Sequence, residues 1–274
     1  MQSYNWQYAS LVESILTLGE KRTDRTGTGT LSLFAPTSLR FDLENSFPLI
    51  GLKETKWRIA FAEMLWFISG STNTQPLNDQ GIKLWNPWAD AKGDLGPIYG
   101  SQWRNFNDDG IDQLAELIKG LRENPTSRRH IVTAWNPSRL HQMALPPCHY
   151  LFQCYVSNDE KLTLMLNQRS WDVMLGAPFN IAQYALLTHL IARAAGLTAS
   201  KLIINPGDAH IYLNHVEAAR MMLKRMDDPH SLELHKPAKL GILTSNTDID
   251  GYLLSDFAIG DYHFFPHIKL PVAV

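Results

Sequence analysis

The sequence predicts an α+β fold, and three observations carry the prediction. Helix-patterned and strand-patterned segments follow one another in mixed order, without the regular βαβα alternation of a doubly wound sheet. Two strand-patterned runs, 148–156 and 161–170, are joined by the short polar loop "SNDE", which predicts an antiparallel hairpin. The run "FNIAQYALLTHLIARAAG" (179–196) predicts a long helix, apolar on most sides and therefore central in the core. No internal repeat, low-complexity tract or linker interrupts the chain, so residues 1–274 are expected to form a single domain.

Along the chain, "WQYASLVESILTLG" (6–19) has helical periodicity and a glycine stop at Gly19. "DRTGTGTLSLFAPTSLRFDL" begins as a turn and continues as strands. "KWRIAFAEMLWFISG" (56–70) is a strongly apolar helix closed by Gly70, and "IDQLAELIKGLREN" (111–124) an amphipathic one. "RRHIVTAWN" and "CHYLFQCYV" read as strands. In "KLTLMLNQRS", Leu162, Leu164 and Leu166 alternate, the period of a strand with one buried face.

Composition bounds the function. A chain of 274 residues, 45% hydrophobic and 19% charged, can bury a substantial core. No apolar run approaches the ~18 residues of a membrane span. The opening segment lacks the basic flank and long apolar region of a signal peptide. A cytoplasmic protein without a membrane partner is expected. The net charge of −2 offers no general polyanion-binding surface. No obligatory nucleic-acid partner is expected, and an anionic ligand needs a local arginine cluster.

Only two cysteines are present, Cys148 and Cys154, both in "MALPPCHYLFQCYV" (143–156). Along one strand they stand roughly 20 Å apart, whereas a disulfide needs Cα atoms within about 7 Å. One Cys-His pair with a distant Cys does not resemble a zinc ligand set. Each is therefore a buried free thiol or a nucleophile, and mid-strand Cys154 fits the first role. If Val156 faces Lys161, the hairpin register places Cys148 opposite Arg169; a slip of one substitutes Ser170. A guanidinium beside a thiol favours the thiolate. His149 is the rival activator, but strand neighbours point to opposite faces.

Other segments carry chemistry-bearing residues. "DRTGTGT" (24–30) fits neither dinucleotide nor P-loop patterns; it is a turn, with Arg25 a candidate anion ligand. Arg128 and Arg129 adjoin in "NPTSRRH", a solvated charge pair or a second anion site. His210 and Tyr212, two apart in "GDAHIYLNH", share a face if extended. With His215 they could take a metal, but no spaced carboxylate supports that, and sugar-hydroxyl binding is as plausible. Glu63 stands in an otherwise apolar helix, either exposed or a buried acid with a raised pKa. Two tryptophans flank a turn in "LWNPWAD" (84–90), as core or as a platform for a flat ring.

Taken together, "DRTGTGT", "EMLWFISGSTN", "WADAKGDLGPIYGSQWR", "SRRHIVTAWNP", "ALPPCHYLFQ", "QRSWD", "LGAPFNIAQYALL", "GDAHIYLNH" and the terminal "PVAV" resemble thymidylate synthases over nearly the whole chain. The resemblance implies a mixed sheet flanked by helices and a sheet-mediated homodimer with shared active sites. It implies dUMP as substrate, 5,10-methylenetetrahydrofolate as co-substrate and no metal. By that resemblance Cys148 adds to C6 of dUMP, Arg169 holds its thiolate and contacts phosphate, and Arg25 binds phosphate. Arg128 and Arg129 reach the partner subunit's phosphate. Gln168, Ser170 and Asp172 contact the nucleotide, Asn180 reads the uracil edge, and His210 with Tyr212 binds the ribose. Glu63 and Tyr99 organise water and proton transfer. The folate falls to Lys56, Leu84, Trp85, Asp172, Leu175, Gly176, Phe179 and Ala273, the last in a closing tail.

Four places differ from the usual family pattern: "GLKE" (51–54), Lys56, Asn86-Pro87 and Trp171, which stands where a small residue is common. By the resemblance all lie nearer the folate than the phosphate. Relatives that hydroxymethylate pyrimidine nucleotides share the fold and the cysteine but quench the methylene with water, so dUMP hydroxymethylation is the alternative reaction.

Overall fold

A computed structural model describes residues 3–272. Its elements run α1 (Tyr4–Leu18), β1 (Glu20–Arg22), β2 (Thr30–Phe34), β3 (Leu39–Asp42), α2 (Trp57–Ile68), α3 (Gln75–Asn78), α4 (Tyr99–Arg104) and α5 (Gln113–Glu123). There follow β4 (Ile131–Thr133), β5 (His149–Val156), β6 (Lys161–Asp172), α6 (Gly176–Ala195), β7 (Thr198–Tyr212), α7 (Val216–Lys224), β8 (Lys239–Ile242) and β9 (Phe257–Gly260). The fold is α+β. Its main sheet has the order β1-β2-β7-β6-β5-β4, with β3 also paired to β7, and β8 and β9 form a separate ribbon. The sheet is mixed: β6 and β7 pair in parallel across the α6 crossover, and every other pair is antiparallel.

The apolar composition of α6 explains its place. Ile181, Tyr184, Leu187, Leu190 and Ile191 are all 0% exposed, so helix α6 lies between the sheet and α2. It ends at Gly196, whose φ of 75° is the left-handed cap that an L side chain resists. On β6 the alternation holds: Leu162, Leu164 and Leu166 are buried on the helix side with Phe152 and Cys154 of β5. The opposite face carries the register partners Tyr155 and Thr163, Gln153 and Met165, Met165 and Ile203. Those residues are half-buried or exposed, with Tyr155 at 65% and nearby Ile131 at 43%.

Two expectations need correction. The hairpin does not pair Val156 with Lys161: its outer register is Val156 with Leu162 and Cys154 with Leu164. An irregularity between His149 and Leu151 then absorbs one residue, so His149 pairs with Gln168. Arg169 N–H donates to the Cys148 carbonyl at 2.8 Å. The slip and the bulge cancel, and Arg169 stands beside Cys148 after all. Second, α6 starts at Gly176 rather than Phe179, because the Asp172 carboxylate accepts the N–H groups of Met174 and Leu175, each at 3.0 Å, and organises the turn into the helix. Strand β7 runs from Thr198 to Tyr212 and so holds His210 and Tyr212 in extended chain.

Candidate active site

Cys148 lies where β5 begins, after two prolines. Neither proline has a backbone N–H, and both carbonyls are turned to Arg169. Its Nε donates to Pro147 O at 2.8 Å and its Nη2 to Pro146 O at 2.7 Å. Nη2 then stands 3.8 Å from Cys148 Sγ. The guanidinium also lies over the Trp135 ring, 5.5 Å from its centroid. On the other side, Tyr99 Oη accepts the Cys148 N–H at 2.9 Å. Tyr99 opens α4 at a φ of 26°, a strained value for a residue other than glycine. Next to it Gly100 has no room for a side chain, since a Cβ would meet Phe67 O at 2.1 Å.

The charge balance at the thiol is not the one its sequence neighbour implies. Burial pushes the Cys148 thiol above its ordinary value; Arg169 first, then a hydrogen bond from Tyr99 and the charge of Arg25, pull it back without fully offsetting burial. The thiol is thus shifted upward on balance, with three groups arranged to favour its anion. His149 plays no part as a base. Its ring stacks on Tyr99 at 4.1 Å, its Nδ1 meets Tyr184 Oη at 2.8 Å, and burial pulls its pKa down to about 3, so it is neutral. Cys154 is buried, and its thiol is pushed up to about 12.

A second group of side chains forms a line of hydrogen bonds. Trp171 Nε1 and Gln168 Nε2 both donate to Asn180 Oδ1 at 3.0 Å. Asn180 Nδ2 donates to Gln183 Oε1 at 3.1 Å, and Gln183 Nε2 donates to Glu63 Oε2 at 2.5 Å. The other carboxylate oxygen accepts Trp85 Nε1 at 2.7 Å. Glu63 is the buried acid of the two readings its sequence allowed. Burial raises its pKa to about 7, against the opposing pull of the Trp85 and Gln183 hydrogen bonds. Trp171 is 1% exposed and bonded to Asn180, the expected pyrimidine reader.

The remaining expected residues divide. In the turn before β2, Asp24 accepts from Thr26 and Gly29, and Gly27 and Gly29 have φ of 74° and 77°. That turn presents exposed Arg25, whose charge acts on Cys148 and Tyr212. His210 pairs along β6 and β7 with Asp172, and its ring lies 5.3 Å from that of Tyr212. Burial lowers the His210 pKa, but Asp208 and Asp172 outweigh it and the net shift is upward. Ser170, Leu175, Gly176 and Phe179 are half-buried around Asp172. Arg128 and Arg129 are exposed just before β4, and among the described residues neither side chain has an ion-pair partner. Lys56 is exposed and Leu84 is 42% exposed. Ala273 lies outside the described residues, although Pro271 O is held by His215 Nε2 at 2.8 Å.

Sequence reasoning missed Gln183, a second amide one turn after Asn180 in the apolar α6, a setting that could have flagged it. It also missed Lys53, which is buried, pulled down to about 8 by burial, and opposed by the charge of Asp172. Among the described residues no group of three or more His, Cys, Asp or Glu is placed to hold a metal ion. Nor, among them, is any helix long and apolar enough to cross a membrane.

The family model for thymidylate synthase matches residues 6–274, nearly the whole chain. The chain belongs to the thymidylate synthase family. Members of the family are methyltransferases that bind dUMP and use methylenetetrahydrofolate as co-substrate.

Proposed function

We propose that the protein methylates dUMP at C5 with 5,10-methylenetetrahydrofolate, giving dTMP and dihydrofolate. One observation carries the reading: Cys148 Sγ lies 3.8 Å from the Arg169 guanidinium, beside a line of amides joining Asn180 to a carboxyl, Glu63, with a pKa of about 7. C5 of uracil is a poor nucleophile. A bond from Cys148 Sγ to C6 moves the C5–C6 π electrons and makes C5 enolate-like. Arg169, Tyr99 and Arg25 are the groups that favour the thiolate which makes this bond. Glu63 can hold or release a proton near neutral pH, through water to the pyrimidine edge. When C5 has given up its proton and the methyl is complete, the C6–S bond breaks and the thiolate returns.

Asn180 presents one amide hydrogen and one oxygen, the complement of O4 and N3–H of uracil. His210 and Tyr212 would bind the ribose, and Arg25 and Arg169 the phosphate, with Gln168 and Ser170 contacting the nucleotide. The folate, when bound, supplies the one-carbon unit and the hydride. The residues present fit it: Asp172 spends one oxygen on Met174 and Leu175 N–H and keeps the other, next to half-buried Leu175, Gly176 and Phe179. Trp85, Leu84 and Lys56 complete this side, with Ala273 in the tail.

We further infer a homodimer. The uncovered face of the sheet is apolar at Ile131, Met165 and Ile203, and a hollow of ≈ 410 Å³ on it is lined by Trp135, Tyr150 and Arg169. Arg128 and Arg129, exposed at the sheet edge, would serve the phosphate of the second copy. Mixing Cys148→Ser subunits with Arg128→Ala/Arg129→Ala subunits should restore activity, and heterodimers without rescue would refute sharing. The reaction itself is tested by incubation with dUMP and methylenetetrahydrofolate. The expected products are dTMP and dihydrofolate. A product heavier by one oxygen, with the folate left as tetrahydrofolate, would identify a hydroxymethylase instead.

A further inference from the structure

The line Trp171–Asn180–Gln183–Glu63 has a direction, and the direction has one source. A carboxamide can be turned over, exchanging its donor and acceptor ends, so neither Asn180 nor Gln183 sets its own polarity. Gln168 Nε2 bonds Asn180, yet Gln168 is an amide as well and could turn with it. At the far end Glu63 accepts when ionised and can donate when protonated. The indole of Trp171 differs from all of these, because its nitrogen only donates. It is 1% exposed and held on β6 opposite Ala209 of β7, so it has no alternative partner in solvent. Turning Asn180 over would set its Nδ2 against the indole N–H at the 3.0 Å now spanned by a hydrogen bond, leaving buried donors unpaired.

We propose that Trp171 is a positioning residue for pyrimidine selection: its indole N–H fixes the Asn180 carboxamide with oxygen and nitrogen in the order that suits uracil and opposes cytosine. The inference rests on the reading of this site as a dUMP site. Uracil offers an O4 acceptor and an N3–H donor; cytosine offers an amino donor and a bare N3 acceptor. An Asn180 free to turn would serve either base. Gln168 leaves its own Oε1 buried and unpaired beside Asn180, so it is the adaptable neighbour, and Trp171 the one of fixed polarity.

The experiment compares kcat/KM, and equilibrium binding, for dUMP and dCMP in the full-length protein and in Trp171→Phe, which keeps an aromatic ring and removes the donor. The dUMP-to-dCMP ratio should fall about tenfold or more, the scale of one buried hydrogen bond. On an Asn180→Asp background, whose two oxygens leave no order to fix, Trp171→Phe should leave the ratio unchanged. A merely structural role would lower both substrates alike, and an unchanged ratio in Trp171→Phe would overturn the proposal. Should that variant fold poorly, Trp171→Met, unbranched and able to fill an irregular space, carries the same expectation. If the unsubstituted protein binds neither nucleotide, the reading of the site fails instead, and the two failures are told apart.

Discussion

Cys154 and Cys148 sit on one run of chain, yet the two ends of the β5–β6 hairpin treat them differently. At the loop end the ladder is regular: Cys154 pairs with Leu164, packs under α6 and has its thiol pushed up to about 12 by burial alone. At the other end the ladder breaks between His149 and Leu151, and Cys148 meets Arg169, Tyr99 and the charge of Arg25. Burial raises both thiols, but only at Cys148 do cationic and hydroxyl groups oppose it. Reactivity therefore follows from the interruption of the sheet, where two proline carbonyls hold a guanidinium beside the thiol, rather than from residue type.

The sharpest break of this comparison is substitution at each cysteine. Cys148→Ser should lower turnover by at least ~10³-fold while leaving dUMP binding largely intact, because an alcohol is a far weaker nucleophile. Activity in Cys148→Ser with none in Cys154→Ser would reverse the assignment. Next in size is Glu63→Gln, with a loss in kcat of ~10²–10⁴. The unsubstituted protein should show a kcat limb near pH 7 that this variant lacks. The carboxyl is raised above its ordinary 4.5 to about 7, so the folded state binds more protons than the unfolded state in that window. Its contribution to stability is therefore full at low pH and is lost as pH rises toward 7. Urea unfolding across pH 4–8 should show that slope, and Glu63→Gln should remove it.

Smaller effects sharpen the contrast. Arg169→Met removes the nearby cation that most favours the Cys148 anion, so alkylation of Cys148 at pH 8 should slow by about tenfold if the thiol rises by one pKa unit. Mass mapping of the alkylated peptide would count against the account if the rate stayed the same. The smallest expected effect is at the loop end. Cys154→Ser buries a hydroxyl in an apolar setting, at a cost of about 1–3 kcal/mol in unfolding free energy, with turnover retained below the unfolding transition.

Much of this architecture was legible from local pattern. The alternation of Leu162, Leu164 and Leu166 and the apolar α6 are periodic signals that tertiary packing does not override. The hairpin loop located the pairing but not its register, because the bulge at the Cys148 end depends on how β6 meets β7 and on the Arg169 contacts, not on "SNDE". Helix α4 was not read, since Tyr99 enters it at a φ of 26° that no propensity signals. At the site, residue types and spacing pointed to Cys148, Arg169 and Glu63, and the family resemblance to Asn180. The bond of Gln183 to Glu63 joins distant parts of the chain, and the donor role of Trp171 depends on how the end of β6 meets α6, so neither follows from local pattern.

The central claim is that Cys148, and not Cys154, adds to C6 and thereby makes C5 reactive. It is tested most directly by tritium release from C5-labelled dUMP in the presence of methylenetetrahydrofolate. The account predicts release in step with dUMP consumption by the unsubstituted protein and by Cys154→Ser, and none by Cys148→Ser. Undiminished release by Cys148→Ser, or no release by the unsubstituted protein, would contradict it.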